Sequence, residues 1–121
     1  MKDAIIYFLV LILMAGCSWE NEEALYPNME NCDTLGVSFA LDIVPVLSDN
    51  CYFCHSNENA SEFGQGHAFE DYEDVRAASS TILGAIKHMN GFSPMPKGSG
   101  KLDNCSIETF EAWVNAGMPA N

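Results

Sequence analysis

The sequence predicts a small all-α domain, and three observations lead to this prediction. The chain has 121 residues, which suits one domain and rarely two. Three segments carry apolar residues at the spacing of an amphipathic helix, whereas almost no segment alternates as a strand does. The stretches between these segments are polar or rich in Gly and Pro. We therefore expect about three to four helices joined by long loops.

The N-terminal region has the pattern of an export signal. Lys2 precedes an unbroken apolar run of 12 residues, 4–15, which is too short to span a bilayer and suits a signal peptide. The run ends in Met-Ala-Gly-Cys, and the small residues before Cys17 resemble the bacterial lipobox, where the cysteine is diacylated and becomes the new N-terminus. The alternative is an ordinary signal-peptidase site beside an unmodified Cys17.

These features divide the chain into three parts. Residues 1–16 form the predicted signal peptide, residues 17–31 a flexible tether without periodicity, and residues 32–121 the folded domain. The resemblance to the lipobox implies a lipid-anchored protein of the bacterial cell envelope, with its domain in the periplasm or at the cell surface. Ser18 after the lipidated cysteine favours the outer membrane, by the same resemblance.

The first helix is predicted over residues 38–49. Ser38 is its N-cap, and an apolar face follows at helical spacing. This face consists of Phe39, Ile43, Val46 and Leu47. Pro45 interrupts the pattern, so we expect a kink or a restart of the helix there.

The second helix is predicted over residues 72–89, with Asp71 as its cap and Asp74 in its first turn. Its inner face consists of Val75, Ser79, Ile82, Ile86 and Met89, and Met89 is assigned to the core. We expect Gly84 and the Ser79-Ser80 pair to divide this helix into two.

The last helix follows a stretch without helical pattern, residues 90–104. Ser106 is its predicted N-cap, and Gly117 and Pro119 end it. Its apolar face consists of Ile107, Phe110, Trp113 and Val114. A domain this small buries limited apolar area by itself.

The segment Cys51-Tyr52-Phe53-Cys54-His55 has the spacing of a c-type haem attachment motif. Two thiols at this spacing add to the two vinyl groups on one edge of a porphyrin, and the next imidazole binds the iron. Attachment takes place outside the cytoplasm, in agreement with the predicted export. We therefore predict one covalent haem c on Cys51 and Cys54, with His55 as the proximal iron ligand. The small helical domain is expected to wrap around this haem, which would complete its core.

The two remaining cysteines, Cys32 and Cys105, form an even pair in an oxidising compartment and predict a disulfide. A closed loop of this length contributes about 4 kcal/mol to stability on the chain-entropy view. Two other uses of the cysteines stay open. The pair and the two motif cysteines could together ligate a zinc ion in a structural lipoprotein, although only one C-x-x-C pair is present. The second open use is a thioredoxin-like redox dithiol. That use requires strands alternating with helices, and the sequence has almost no strand pattern.

The second axial ligand of the iron is predicted to be Met95. It lies between Pro94 and Pro96 in the stretch without helical pattern, where the prolines restrict the backbone that presents the thioether. The alternatives are His67, His88, the other methionines of the exported chain, or an open site. An open or labile distal site would favour a peroxidase or a gas sensor.

This arrangement resembles a class I cytochrome c: a helix leading into C-x-x-C-H, a loop with S-P-M-P and a closing aromatic helix. The ending is similar to the planctomycete-type cytochrome c domains of bacterial lipoproteins, and the likeness covers roughly residues 36–119. The resemblance implies ligation by His55 and Met95, transfer of single electrons, and no substrate turnover. It also implies that the first and last helices cross near Gly36, Phe39, Phe110 and Trp113. Pro45 departs from the mitochondrial-type pattern of the first helix.

Charge is strongly segregated along the chain. The net charge of −12 argues against nucleic acid as a partner, because phosphates require cationic side chains. Residues 17–75 hold 13 acidic and no basic residues, whereas residues 76–101 hold four basic and no acidic ones. Lys97 and Lys101 are therefore expected to orient an acidic redox protein near the Met95 loop. No small-molecule substrate is expected.

Overall fold

The computed structural model describes residues 32–121, and over this range the chain is all-α, which confirms the predicted class. A π-helical turn, Phe39–Ile43, continues into helix α1, Val44–Asn50. Helix α2, Tyr52–His55, follows at once, and helices α3 and α4 span Tyr72–Ile86 and Asn104–Asn115. Within these 90 residues no helix is long and apolar enough to cross a bilayer. The predicted signal peptide, Cys17 and the tether lie outside the described residues.

The start of the first helical segment is fixed by reciprocal capping. The Ser38 hydroxyl accepts from the Leu41 N–H at 3.0 Å, and the Asp42 carboxylate accepts from the Ser38 N–H at 2.7 Å. The predicted restart at Pro45 is confirmed, because the π-helical turn ends at Ile43 and Pro45 lies in the first turn of α1. A proline is tolerated there because the first helical N–H groups have no partner within the helix.

Helix α3 is one unbroken helix, and it ends earlier than the sequence predicts. It passes through Gly84 without interruption and stops at Ile86 rather than at residue 89. His88 adopts a left-handed conformation, φ 54°, which ends the helix. Met89 is therefore off the helix and 49% exposed, so its assignment to the core is wrong. Asp71 lies at the N-cap but makes no capping hydrogen bond with its side chain.

Helix α4 begins with a different cap from the predicted one. Asp103 is the N-cap residue, and its carboxylate accepts from both the N–H and the hydroxyl of Ser106, at 2.9 and 2.6 Å. The prediction of Ser106 as the cap is wrong, because Ser106 is three residues further on and acts as the donor. The helix ends at Asn115, and Gly117 follows in a left-handed conformation.

The core joins the first and last helical segments through aromatic rings. Trp113 and Phe110 are fully buried on α4, and the ring of Phe39 lies 5.6 Å from that of Trp113. Tyr72 at the start of α3 packs edge-on against both Phe39 and Trp113. Gly36 lies before the helix and is exposed, so it takes no part in this packing. The packing brings the residues before Cys51 against the closing helix.

Candidate functional site

The three residues of the predicted haem motif occupy a single helical turn. The carbonyl of Cys51 accepts from the N–H groups of Cys54 and His55, at 3.1 and 2.9 Å. Residues three and four positions apart lie on the same side of a helix. Cys51, Cys54 and His55 therefore share one side of α2, and both thiols are free and half-buried.

The imidazole of His55 is oriented by the loop that follows it. Its Nδ1 lies 2.7 Å from the backbone oxygen of His67. A carbonyl oxygen only accepts, so Nδ1 is the donor, and in the neutral form of the ring the lone pair lies on Nε2. The ring also stacks on Phe69, with centroids 4.6 Å apart, and the Phe69 N–H donates to the His55 carbonyl. An imidazole held in this tautomer is ready to bind a metal through Nε2.

Gly64 lets the loop approach the motif closely. A Cβ at this position would lie 2.6 Å from the backbone oxygen of Cys54 and 2.9 Å from Nδ1 of His55. No side chain fits in that space without displacing one of the two. The sequence marks Gly64 only as part of a polar loop, and no pattern in it points to this contact.

The thiol of Cys51 is chemically quiet at neutral pH. Burial raises its pKa from 9.0 to about 11. Redox dithiols instead carry a thiol whose pKa is lowered, so that the nucleophilic thiolate is present. The raised pKa of Cys51 is the opposite of the shift that the thioredoxin-like alternative requires.

Cys32 and Cys105 lie at disulfide distance from each other, with sulfur atoms 2.11 Å apart and Cα atoms 5.4 Å apart. They are the two cysteines that the sequence predicts to form a disulfide. A disulfide between them removes both thiolates from any shared metal site, so this arrangement does not support a zinc centre built from four cysteines. Among residues 32–121 no group of three or more His, Cys, Asp or Glu residues is placed to hold a metal ion.

Met95 is held by its backbone to the end of α3. Its N–H donates to the Ala85 carbonyl at 3.2 Å, and Nε2 of His88 lies 3.1 Å from its carbonyl oxygen. The His88 nitrogen is thus the donor, which is a role that the sequence did not suggest. The segment after Met95 turns towards α1, where Pro96 and Asn50 line the same cavity of about 410 Å³. No hydrogen bond among the described residues joins Met95 to the haem motif.

The other candidate ligands have different surroundings. His67 is exposed and contributes its backbone oxygen to His55. Met118 is half-buried against the core, and its carbonyl accepts from the Tyr72 hydroxyl. Met29 lies outside the described residues.

The basic residues near Met95 do not all contribute to one patch. Lys87 donates to Glu111 at 2.7 Å, which joins α3 to α4, and Arg76 lies 3.7 Å from Glu73. Lys97 and Lys101 are exposed and take part in no ion pair within residues 32–121. The predicted basic region is therefore reduced to these two lysines.

The residues of the motif fit a covalent haem. Two free thiols and one correctly protonated imidazole share a single helical turn, and a haem iron requires from the protein only its axial ligands. Comparisons with protein families, with curated proteins and with solved structures find no match to this chain.

Proposed function

We propose that the chain is a lipid-anchored, monohaem c-type cytochrome that carries single electrons between redox proteins outside the cytoplasm. The observation that carries this proposal is the orientation of His55, whose Nδ1–H donates to the His67 carbonyl and leaves Nε2 free. It adds a physical reason to the cytochrome c resemblance of the sequence. The anchor is Cys17, which lies outside the described residues.

In this proposal four residues attach the haem or ligate its iron. Cys51 and Cys54 would hold the haem as thioethers. His55 would be the proximal ligand of its iron and Met95 the distal one, and a thioether ligand would favour the reduced iron and raise the potential. The haem supplies an iron that takes up and releases one electron. The loop from Gly64 to Phe69 keeps the imidazole in place during that change.

The first experiment removes the thiols. The full-length chain is expressed with a haem c maturation system, and the mass of the denatured protein is measured by mass spectrometry. The wild type is expected to carry one covalent haem, and the Cys51→Ala/Cys54→Ala variant none. The Cys32→Ser/Cys105→Ser variant lacks the same number of cysteines and is expected to keep the haem. A wild type without haem that binds zinc instead would contradict the proposal.

The second experiment tests the distal ligand by optical spectroscopy. A thioether bound to oxidised haem iron gives a weak far-red band, which Met95→Ala is expected to abolish. Met89→Ala is the matched control, since Met89 is exposed and off the helix. A band that survives Met95→Ala would contradict the assignment of Met95. A wild type that lacks the band and binds cyanide rapidly would instead support a peroxidase or sensor with an open distal site.

A further inference from the structure

A pair of exposed aromatic rings lies beside the haem motif, and the proposed electron transfer by itself does not account for it. Phe53 is 83% exposed and Phe63 is 55% exposed. Their rings are stacked, with centroids 6.5 Å apart and planes 28° from parallel. We call these two residues the aromatic pair. Exposing two stacked phenyl rings is costly in water, and adjoining exposed apolar groups often mark a binding surface.

The aromatic pair is held in place by one residue, Asn59. Its side-chain amide donates to the Phe53 carbonyl at 2.9 Å, and its backbone oxygen accepts from the Phe63 N–H at 2.9 Å. The Asn59 N–H in turn donates to the Ser56 hydroxyl at 3.1 Å. The backbones that carry both rings are therefore fixed before any partner arrives, which reduces the entropy lost on binding.

Phe53 lies on the opposite side of its helical turn from the residues of the haem motif. Successive residues of a helix are rotated by about 100°, so Phe53 lies off the side that Cys51, Cys54 and His55 share. In the proposed function the haem would be held on the side of the motif residues, away from the side of the helix that carries Phe53. Phe53 is also the neighbour of Cys54 in the chain, so a partner that contacts this ring lies close to a thioether of the haem.

The charge around the aromatic pair is negative. Glu62 directly precedes Phe63, and its N–H donates to the Asn59 carbonyl at 3.1 Å. Glu58 directly precedes Asn59, and both glutamates are exposed. Residues 32–75 contain no Lys or Arg at all. The surface therefore offers an apolar centre beside carboxylates.

We propose that the aromatic pair is a docking surface for a redox protein that presents an apolar or planar group flanked by Lys or Arg side chains. The inference rests on the proposed cytochrome function and names the chemistry of one partner. A second copy of this chain is disfavoured as the occupant because its net charge is −12. Segment 17–31 of the same chain is disfavoured for the same reason, since it holds four acidic and no basic residues. This surface differs from Lys97 and Lys101, which would attract an acidic partner.

The test uses two cationic metal complexes that differ in their ligands. Tris(phenanthroline)cobalt(III) combines positive charge with aromatic faces and accepts one electron from reduced iron, which gives iron(III) and cobalt(II). Hexaammineruthenium(II) is cationic without aromatic faces and donates one electron to the oxidised protein, which gives iron(II) and ruthenium(III). Rate constants are measured by stopped flow with the full-length holoprotein.

The aromatic pair is expected to matter only for the phenanthroline complex. Phe53→Ser/Phe63→Ser should slow its reaction about fivefold and leave the ruthenium reaction nearly unchanged. Glu58→Gln/Glu62→Gln should slow both reactions, more so at low salt. Leu41→Ser is the matched control, since Leu41 is 79% exposed and lies on the π-helical turn. An equal loss of rate in the Leu41 variant, or no loss in the Phe variant, would overturn the proposal.

Binding is also measured without electron transfer. Oxidised protein is titrated with the cobalt(III) complex, which it cannot reduce, and the ring resonances of Phe53 and Phe63 are followed by NMR. Shifts at these two rings support the docking surface even if the protein carries no haem, in which case only the proposed function fails. Contacts between these rings and residues 18–31 would overturn it. So would a dimer in sedimentation that the Phe variant turns into a monomer.

Discussion

The two axial residues of the proposed haem site are held in different ways. His55 is fixed at its side chain by the His67 carbonyl, by stacking on Phe69 and by the close approach of Gly64. The two hydrogen bonds that hold Met95 both use its backbone, one to the Ala85 carbonyl and one from His88. In the proposed site the His55 side chain is therefore oriented without a haem, whereas the position of the Met95 thioether depends on how the segment after α3 is held.

This difference indicates which parts of the chain would control ligation of the iron in the proposed haem site. The proximal residue belongs to a short local structure, since the three residues that orient its ring lie within 14 residues of it in the sequence. The distal segment between α3 and α4 contains no helix and is mostly exposed, and the Cys32–Cys105 pair lies just beyond it. We expect perturbations to reach Met95 more readily than His55.

Removing the disulfide is expected to have the largest effect on stability. The pair is separated by 73 residues, and Cys32→Ser/Cys105→Ser should lower the free energy of unfolding by about 4 kcal/mol. Urea titration followed by circular dichroism measures this loss. The wild type treated with a thiol reductant should match the variant. A reductant without effect on the wild type would show that this pair is not oxidised.

A side chain at position 64 is expected to displace the groups that orient His55. In Gly64→Ala the new Cβ meets the Cys54 carbonyl and the His55 ring, so one of them must move. Overpacking of this kind costs about 2 kcal/mol. Haem attachment should also fall, because the contact is with Cys54 and His55 of the motif itself. Gly100→Ala is the matched control, because nothing lies within 4 Å of a Cβ there. Equal stability of the two variants would argue against the close approach.

The N-cap of α4 holds the end of the segment that contains Met95, so its loss tests how firmly that segment is held. Asp103→Ala should cost about 1 kcal/mol, because the capping carboxylate is lost. Hydrogen bonds from Ser106 lower the pKa of Asp103 below its ordinary value of 3.8. Its contribution is therefore present above that value and is lost as the pH falls through the lowered pKa. Asp103→Asn should keep the cap at neutral pH and remove this acid-dependent loss, as urea titrations across the acid range would reveal.

His88 is expected to give the smallest effect on stability and a specific effect on ligation. His88→Gly accepts the left-handed backbone but removes the donor to the Met95 carbonyl, at a cost of about 0.5 kcal/mol. The far-red band of the oxidised haem should weaken with temperature sooner than in the wild type. His67→Ala is the control, since it removes a histidine ring and keeps the carbonyl that His55 uses. The same weakening in both variants would contradict a specific role for His88.

Much of the local structure follows from patterns within a few residues. Ser38 and the spacing after it predict the first helix, and Pro45 predicts its restart, because capping and proline geometry act within one turn. The errors lie at helix ends. Asp103 rather than Ser106 caps α4, and α3 stops before Met89. Several neighbouring side chains compete for the same terminal N–H groups, and spacing alone does not choose among them.

The amino-acid sequence by itself determined the all-α class, the segments that form helices and the cysteine and histidine spacing of the motif, because each depends on neighbours in the chain. Only the tertiary structure decided which atoms orient the site. The His67 carbonyl, the open space at Gly64, the hydrogen bond from His88 and the bracing of Phe53 and Phe63 by Asn59 depend on how loops fold back on helices. Every residue has a backbone carbonyl, and glycines occur in many loops. Such groups become specific only where folding brings them against a particular side chain.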